Sequence, residues 1–150
     1  IYKARIYFKI ALTFDDAGDF NKALELYQKN IDILQDVEQN PYLSSSCSNS
    51  AIIYEEKSLP EKAIEYYNKA LEFDVKAGSL EGQYEMLSRL GELHFETGSY
   101  YTSGNFFYKG LEIAKQIKDP YKIAMSYIAI GDMYLSNKNY EKALRGFVTL

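Results

Sequence analysis

The chain has 150 residues, of which 47% are hydrophobic and 25% are charged, and its formal net charge is −4. This composition is typical of a folded chain and excludes wholesale disorder, and the negative charge disfavours binding to nucleic acid or to an anionic membrane, because both need a basic surface. The single cysteine, Cys47, excludes an internal disulfide framework.

Apolar and small residues recur at helical spacing along the whole chain and predict eight consecutive helices. The first covers Tyr2–Asp16 and ends before Gly18, a residue suited to the left-handed conformation past a helix end. The next six cover residues 20–37, 41–57, 60–75, 80–96, 100–117 and 120–135, and an eighth begins after Lys138. Asn40-Pro41 and Asp119-Pro120 each supply an N-cap followed by proline at the first helical position. No segment alternates apolar and polar residues as a strand does, so we expect an all-α chain.

The helices repeat a pattern of small and aromatic residues at an interval of 40 residues. The small positions are Ala11, Ala51, Gly91 and Gly131 in the first helix of each pair, and Ala23, Ala63, Ser103 and Ala143 in the second. The aromatic positions are Phe14, Tyr54, His94 and Tyr134 in the first helices, and Tyr27, Tyr67, Phe107 and Phe147 in the second. Small residues let helices approach closely and aromatic rings fill the space beside them, and a fixed period of this length indicates a solenoid.

These four columns resemble those of the tetratricopeptide repeat family, whose usual period is about 34 residues, and the resemblance covers essentially the whole chain. It implies a right-handed α-solenoid, a superhelix of antiparallel helix pairs in one array over residues 1–150. The four repeats would be residues 1–39, 40–79, 80–119 and 120–150. Because the chain begins without methionine and stops within a predicted helix, we expect a fragment of a longer protein.

The resemblance also implies that a ligand lies in the concave groove formed by the first helices. The groove positions that we single out are Arg5, Phe8, Lys9, Leu12, Asn49, Ile52, Glu56, Glu85, Arg89, Glu92, Met125 and Asp132. With Asp16 and Glu96, the groove carboxylates outnumber the groove cations, and apolar side chains accompany them. This pattern predicts a ligand with basic and apolar side chains, either an amphipathic helix or an extended peptide. The alternative is that the carboxylates only solvate a helix face.

The family's best-known site, a clamp for a peptide's terminal carboxylate, is not predicted. Only Asn49 and Arg89 match its pattern. Phe8 and Glu85 stand where the clamp has lysines, and Leu12 stands where it has an asparagine. A glutamate would repel a carboxylate ligand, so the sequence argues against this clamp.

Other chemistry-bearing residues favour structural roles. His94 occupies an aromatic packing position, and Cys47 occupies a helix packing position, so each is interpreted as a core residue rather than a base, metal ligand or nucleophile. Among the glycines inside predicted helices, Gly104, Gly110 and Gly146, close helix approach is the best explanation for Gly110. We expect no catalytic residues, no metal and no cofactor.

The resemblance therefore favours a non-catalytic scaffold that binds a protein or peptide, as part of a larger signalling or regulatory protein. The alternative is the sensory or regulatory segment of a bacterial signalling protein, such as a histidine kinase, a transcription factor or a peptide-responsive regulator. We expect a cytoplasmic location, no nucleic acid partner, no membrane insertion by this segment, and self-association through the end near Leu150.

Overall fold

A computed structural model of the protein describes residues 2–34, 37, 40–138, 142 and 145. Within these ranges the chain forms seven α-helices and no strand, which confirms the all-α prediction. The helices are α1 (Tyr2–Asp16), α2 (Phe20–Leu34), α3 (Pro41–Glu56), α4 (Pro60–Ala77), α5 (Leu80–Glu96), α6 (Tyr100–Ile117) and α7 (Pro120–Ser136). None of the described helices combines the length and the apolar content that a membrane span needs.

The helix bounds follow the predictions closely, with two differences of more than one residue. α2 covers Phe20–Leu34 against a predicted end at Val37, and Val37 itself is not helical. α4 runs two residues past its predicted end, to Ala77. The predicted eighth helix, with Ala143, Gly146 and Phe147, lies outside the described residues, as does the self-association predicted for that end.

The chain divides into two compact units, Ile1–Ser79 and Leu80–Leu150, and each is described by itself. In the first unit, α1 packs on α2, α2 on α3 and α3 on α4, and α1 also contacts α3. In the second unit, α5 packs on α6 and α6 on α7. Turns of three residues join α1 to α2 and α5 to α6, so the helices of each pair are antiparallel neighbours. The single array over residues 1–150 stays a prediction.

Predicted small and aromatic positions lie in the cores of both units, together with other apolar residues. One buried cluster of the first unit consists of Ala11, Ala23, Tyr27 and Ile53, and one of the second unit consists of Phe107, Leu111, Ile130 and Met133. The aromatic column of the first helices is different, because Phe14, Tyr54, His94 and Tyr134 are only half-buried. The small residues are therefore the fully enclosed part of the repeat, and this aromatic column forms its edge.

Gly91 of α5, one of the predicted small positions, is tightly enclosed by α6. A Cβ atom added there would overlap the ring of Phe107 on α6, and Ser103 Oγ on α6 donates a hydrogen bond to the Gly91 carbonyl at 2.8 Å. At Gly110, by contrast, an added Cβ would meet only Leu87 Cβ, at an ordinary 3.8 Å. The prediction that close helix approach explains Gly110 is therefore wrong, because the helix pair requires glycine at Gly91 instead.

The first helix of each pair ends in the same left-handed turn. The φ values are 76° at Gly18, 57° at Ser58, 77° at Gly98 and 57° at Lys138, so the turn recurs every 40 residues. In the first three, the following amide donates back to a carbonyl in the last helical turn, at 2.8 Å from Asp19 to Phe14, 2.9 Å from Leu59 to Tyr54 and 2.8 Å from Ser99 to His94. The predicted left-handed Gly18 is confirmed, and two of the four turns adopt this conformation without glycine.

We predict that Gly91→Ala lowers the free energy of unfolding by about 1–3 kcal/mol, because overlap with the Phe107 ring outweighs the better helix propensity of alanine. The matched control is Gly110→Ala, which should be neutral or stabilising by up to about 1 kcal/mol. Urea unfolding followed by circular dichroism measures both. Equal stabilities for the two variants would contradict the assignment of the close approach to Gly91.

We also predict that Ser58→Gly stabilises the protein by about 0.5–1 kcal/mol, because glycine adopts positive φ without the strain that a side chain meets. The reverse change at the equivalent position, Gly18→Ser, should destabilise by a similar amount. Thermal unfolding of the two variants gives the test. A melting temperature that falls in Ser58→Gly would show that the turn at Ser58 is not strained.

Candidate functional site

The second unit contains an open cleft between α5 and α7, with a volume of about 560 Å³. The lining residues are Glu81, Gly82, Tyr84, Glu85, Ser88, Arg89, Glu92, Phe107, Gly110, Tyr121, Lys122, Met125, Ser126 and Ala129. Four of the singled-out groove residues, Glu85, Arg89, Glu92 and Met125, are brought together here. The exposed Asp132 is not among the lining residues.

The two sides of the cleft come from first helices, and part of its lining comes from a second helix. α6 contributes Phe107, which is 6% exposed, and Gly110, which has no side chain. Ala129 of α7 adds another small apolar surface. The hydroxyl of Ser126 is already used, because it donates to the carbonyl of Lys122 at 2.9 Å. These four residues, called the floor below, therefore form a mainly apolar surface.

The charged residues of the cleft leave an excess of carboxylate. Arg89 Nη1 lies 3.8 Å from Glu92 Oε2, and Lys122 Nζ lies 3.1 Å from Glu81 Oε2 and 3.0 Å from Asp119 Oδ2. Both cations of the cleft are thus near carboxylates of the protein itself. Within the part of the chain that the structure describes, Glu85 makes no ion pair. An unneutralised carboxylate beside an apolar floor attracts a cationic group from outside.

One end of the cleft is held by a cross-link between the first turns of α5 and α7. The Tyr84 hydroxyl donates to the Lys122 carbonyl at 3.2 Å, and the Lys122 ammonium lies 5.7 Å from the centroid of the Tyr84 ring. Hydrogen bonds to Asp119 and Glu81 hold the pKa of Lys122 above its ordinary value. Asp119 also caps α7 by accepting from the Tyr121 amide at 2.9 Å. These contacts fix the separation of the two helices at this end.

The singled-out groove residues of the first unit divide into packed and exposed groups. Phe8 packs against Tyr27 and Tyr42, with ring centroids 5.9 and 5.2 Å apart, and Leu12 is partly buried against the core. The other singled-out side chains of the first unit are exposed or hydrogen-bonded. Arg5, Lys9, Ile52 and Glu56 are exposed, and Asn49 is half-buried. Nothing in the first unit tests their role in binding, so these positions stay predictions.

Asn49 takes part in a hydrogen-bond chain that ties α1, α2 and α3 together. Its amide donates to the Tyr27 hydroxyl at 3.1 Å, and that hydroxyl donates to Asp15 Oδ2 at 3.1 Å. Burial raises the pKa of Tyr27 above its ordinary value, so the hydroxyl stays protonated. The next repeat has an equivalent contact, in which the Tyr67 hydroxyl donates to Glu55.

The second unit differs from the first in the side chains that stand at equivalent positions beside the first helices. At three positions of the first unit, a different residue stands at the equivalent position 80 residues later. Phe8 corresponds to Ser88, Asn30 to Gly110 and Tyr42 to Lys122. In the first unit, Phe8 fills the space beside Tyr42, and Asn30 donates to Ser46 Oγ at 2.7 Å. In the second unit, serine and glycine at these positions leave that space open. The open cleft of the second unit therefore goes with the loss of side-chain volume at two of these positions.

Sequence reasoning missed Glu81, Tyr84, Tyr121 and Lys122, which all line the cleft. They lie near the N-terminal ends of α5 and α7, so continuing the predicted groove face by one helical turn would have found Glu81 and Tyr121. The pairing of Lys122 across the cleft depends on tertiary geometry and has no local pattern.

His94 and Cys47 have the environments of packing residues. The His94 ring stacks on Phe106, with centroids 5.4 Å apart and planes 8° from parallel, and burial lowers its pKa. Cys47 is 0% exposed, and burial raises the pKa of its thiol to about 12. Across the described ranges, no group of three or more His, Cys, Asp or Glu side chains is arranged to hold a metal ion.

The repeated helix pairs define an all-α solenoid of helical repeats, a class of scaffold for protein interactions that is generally non-catalytic. The family model "Tetratricopeptide repeat" matches residues 2–74 and 83–145. The chain belongs to the tetratricopeptide repeat family.

Among curated proteins, the chain is similar to the photosystem I assembly protein Ycf3 of Synechococcus sp. (strain CC9605). The two are 36% identical over 70 residues, a match that covers 47% of this chain and 39% of that protein. The chain thus spans about two fifths of that protein's length.

Three solved structures show similar folds. The apo form of RapI has a TM-score of 0.83 at 20% identity, and the match covers 97% of this chain and 54% of that one. A signal transduction ATPase with a tetratricopeptide repeat sensor, from Pyrococcus horikoshii, has a TM-score of 0.82 at 23% identity. That match covers 97% of this chain and 23% of the ATPase chain. BtubC from P. vanneervenii has a TM-score of 0.80 at 22% identity, and the match covers 95% of this chain and 59% of the BtubC chain. At these identities the likeness concerns the fold alone.

We predict that Cys47 in the folded protein reacts with an aromatic disulfide reagent at least about a hundredfold more slowly than in the unfolded chain, because the thiol is enclosed and its thiolate is disfavoured. The absorbance of the released thiol measures the rate, with and without urea. Equal rates in the two conditions would contradict the packing role.

Proposed function

We propose that this protein is a scaffold that holds a short segment of a partner protein, with basic and apolar side chains, along its first helices, and that the α5–α7 cleft is the main binding site. The single observation that supports the proposal is the combination of an apolar floor with an excess of carboxylate at the same cleft. Glu85 is the residue on which the electrostatic part depends, because it makes no ion pair with any described residue.

The size of the cleft favours an extended segment over a helix. A helix with its side chains is about 10 Å wide, and two turns of it occupy roughly 1,000 Å³. The cleft has a volume of about 560 Å³, which falls in the range of sites that enclose small ligands. A few residues of extended chain therefore fit better than an amphipathic helix laid fully into the cleft.

The first-unit groove residues are assigned a lesser part in binding. Phe8, Leu12 and Asn49 already pack or donate within the unit, whereas Lys9 and Glu56 are exposed to a ligand. We propose that the exposed side chains, with Arg5 and Ile52, contact a partner that continues past the cleft along a single array. Asp132 would contact the same partner beyond the cleft-lining part of α7.

A second candidate is a role in assembling a multisubunit complex. It is supported by the 36% identity, over 70 residues, to a photosystem I assembly protein. The sensory segment of a bacterial signalling protein stays open as another proposal. An attached kinase or DNA-binding domain in the adjoining sequence would favour the sensory role, and co-purification with the unassembled subunits of one complex would favour assembly.

We predict that Glu85→Lys lowers the affinity for a fluorescent peptide of alternating lysine and leucine by about fivefold or more, because it reverses the unpaired charge of the cleft. Fluorescence anisotropy at two salt concentrations measures the affinity, which should also fall with added salt. A peptide of alternating glutamate and leucine should bind more weakly than the basic one.

The matched control is Glu112→Lys, which makes the same charge reversal on an exposed face of α6 outside the cleft. It should leave the affinity within about twofold of the unmodified protein. Equal losses in the two variants, or a preference for the acidic peptide, would contradict the proposal.

A further inference from the structure

The floor of the α5–α7 cleft contains a glycine that helix packing does not require. An added Cβ at Gly110 would meet only Leu87 Cβ, at 3.8 Å, so alanine fits between the helices. Glycine within a helix nevertheless costs roughly 1 kcal/mol relative to alanine. Because Gly110 lines the cleft, the absence of a side chain there leaves the cleft deeper at this point.

We propose that Gly110 and Ser88 form an anchor subsite that admits one large apolar side chain of the ligand, with a basic residue beside it. This inference rests on the proposed function and specifies the ligand for the same cleft. The equivalent positions of the first unit hold larger side chains, Phe8 and Asn30. The ligand's side chain takes the place that Phe8 occupies there, between the two first helices.

The surroundings of the subsite select an apolar anchor. Its base is formed by the ring of Phe107 and by Ala129. The Ser126 hydroxyl already donates a hydrogen bond to the Lys122 carbonyl. A cationic group placed on this base would lose water without gaining a carboxylate, which is costly. Met125, half-exposed at 42% and flexible, can adjust to cover anchors of different shape.

The carboxylates lie where the flanking residues would be. Glu85 is one helical turn before Arg89 on α5, and Glu81 is one turn before Glu85, so these side chains follow the length of the cleft. Arg89 is near Glu92 and Lys122 is near Glu81, so neither cation presents a strong positive field to a ligand. A lysine beside the anchor, toward Glu81 and Glu85, therefore meets net negative charge.

The test uses three peptides with lysines flanking a central alanine, leucine or phenylalanine, measured by fluorescence anisotropy. The unmodified protein should bind the leucine and phenylalanine peptides about tenfold or more tightly than the alanine peptide, the gain expected from burying such a side chain. In Gly110→Ala, the affinity for the phenylalanine peptide should fall by about threefold or more while the alanine peptide is unaffected, because only the large anchor reaches the floor.

Ser88→Phe copies the first unit and should remove the preference for a large central residue altogether. Ser58→Gly is the control for stability, because it changes the free energy of unfolding through a residue of the other unit that does not line the cleft, and it should leave all three affinities unchanged. A merely structural role for Gly110 predicts no change in peptide preference in Gly110→Ala, and that result would overturn the inference.

The inference and the proposed function fail in different ways. Binding that depends on Glu85 but shows no dependence on the central residue would overturn the anchor subsite and leave the proposed function standing. Absence of binding for all three basic peptides would overturn both.

Discussion

The whole arrangement depends on small residues that let an aromatic ring lie between the two helices of a pair. In the α5–α6 pair this is Gly91 against Phe107, where not even a methyl group fits, and in the first unit Ala11, Ala23 and Tyr27 share one buried cluster. Packing at this distance uses dispersion contacts that fall off steeply if the helices separate. Because these residues are enclosed within the pairs, the outer faces of the first helices can carry polar side chains.

One polar pair of the first two repeats is replaced as a unit in the third. In the first two repeats a tyrosine hydroxyl reaches a carboxylate twelve residues earlier, as Tyr27 does with Asp15. At the equivalent places of the third repeat, Phe107 and Phe95 are both apolar. A buried hydroxyl without an acceptor, or a carboxylate without a donor, would be costly, so the pair changes as a unit. At this pair of positions the repeat preserves a complementary contact rather than residue identities.

Much of the fold could be predicted because its determinants are local. Asn40-Pro41 and Asp119-Pro120 mark helix starts through their own backbone preferences, and the 40-residue period identifies the family. The left-handed turn at Ser58 could not be predicted, since serine has no strong preference for that conformation. The cleft was only partly predictable. The exchange of Phe8 for Ser88 is visible in the sequence, but the pairing of Lys122 with Glu81 depends on the distance between two helices.

The recurring turn at Gly18, Ser58, Gly98 and Lys138 has a consequence for how such a chain changes over generations. In the described part of the chain, each first helix ends with the same backbone geometry, whichever side chain stands at the turn. The residue at this turn can therefore be exchanged without changing how the helix ends. Exchanges elsewhere in a repeat, such as phenylalanine for serine between Phe8 and Ser88, change the space beside the first helix and leave the turn in place. The helix ends and the surface between first helices can thus diverge separately.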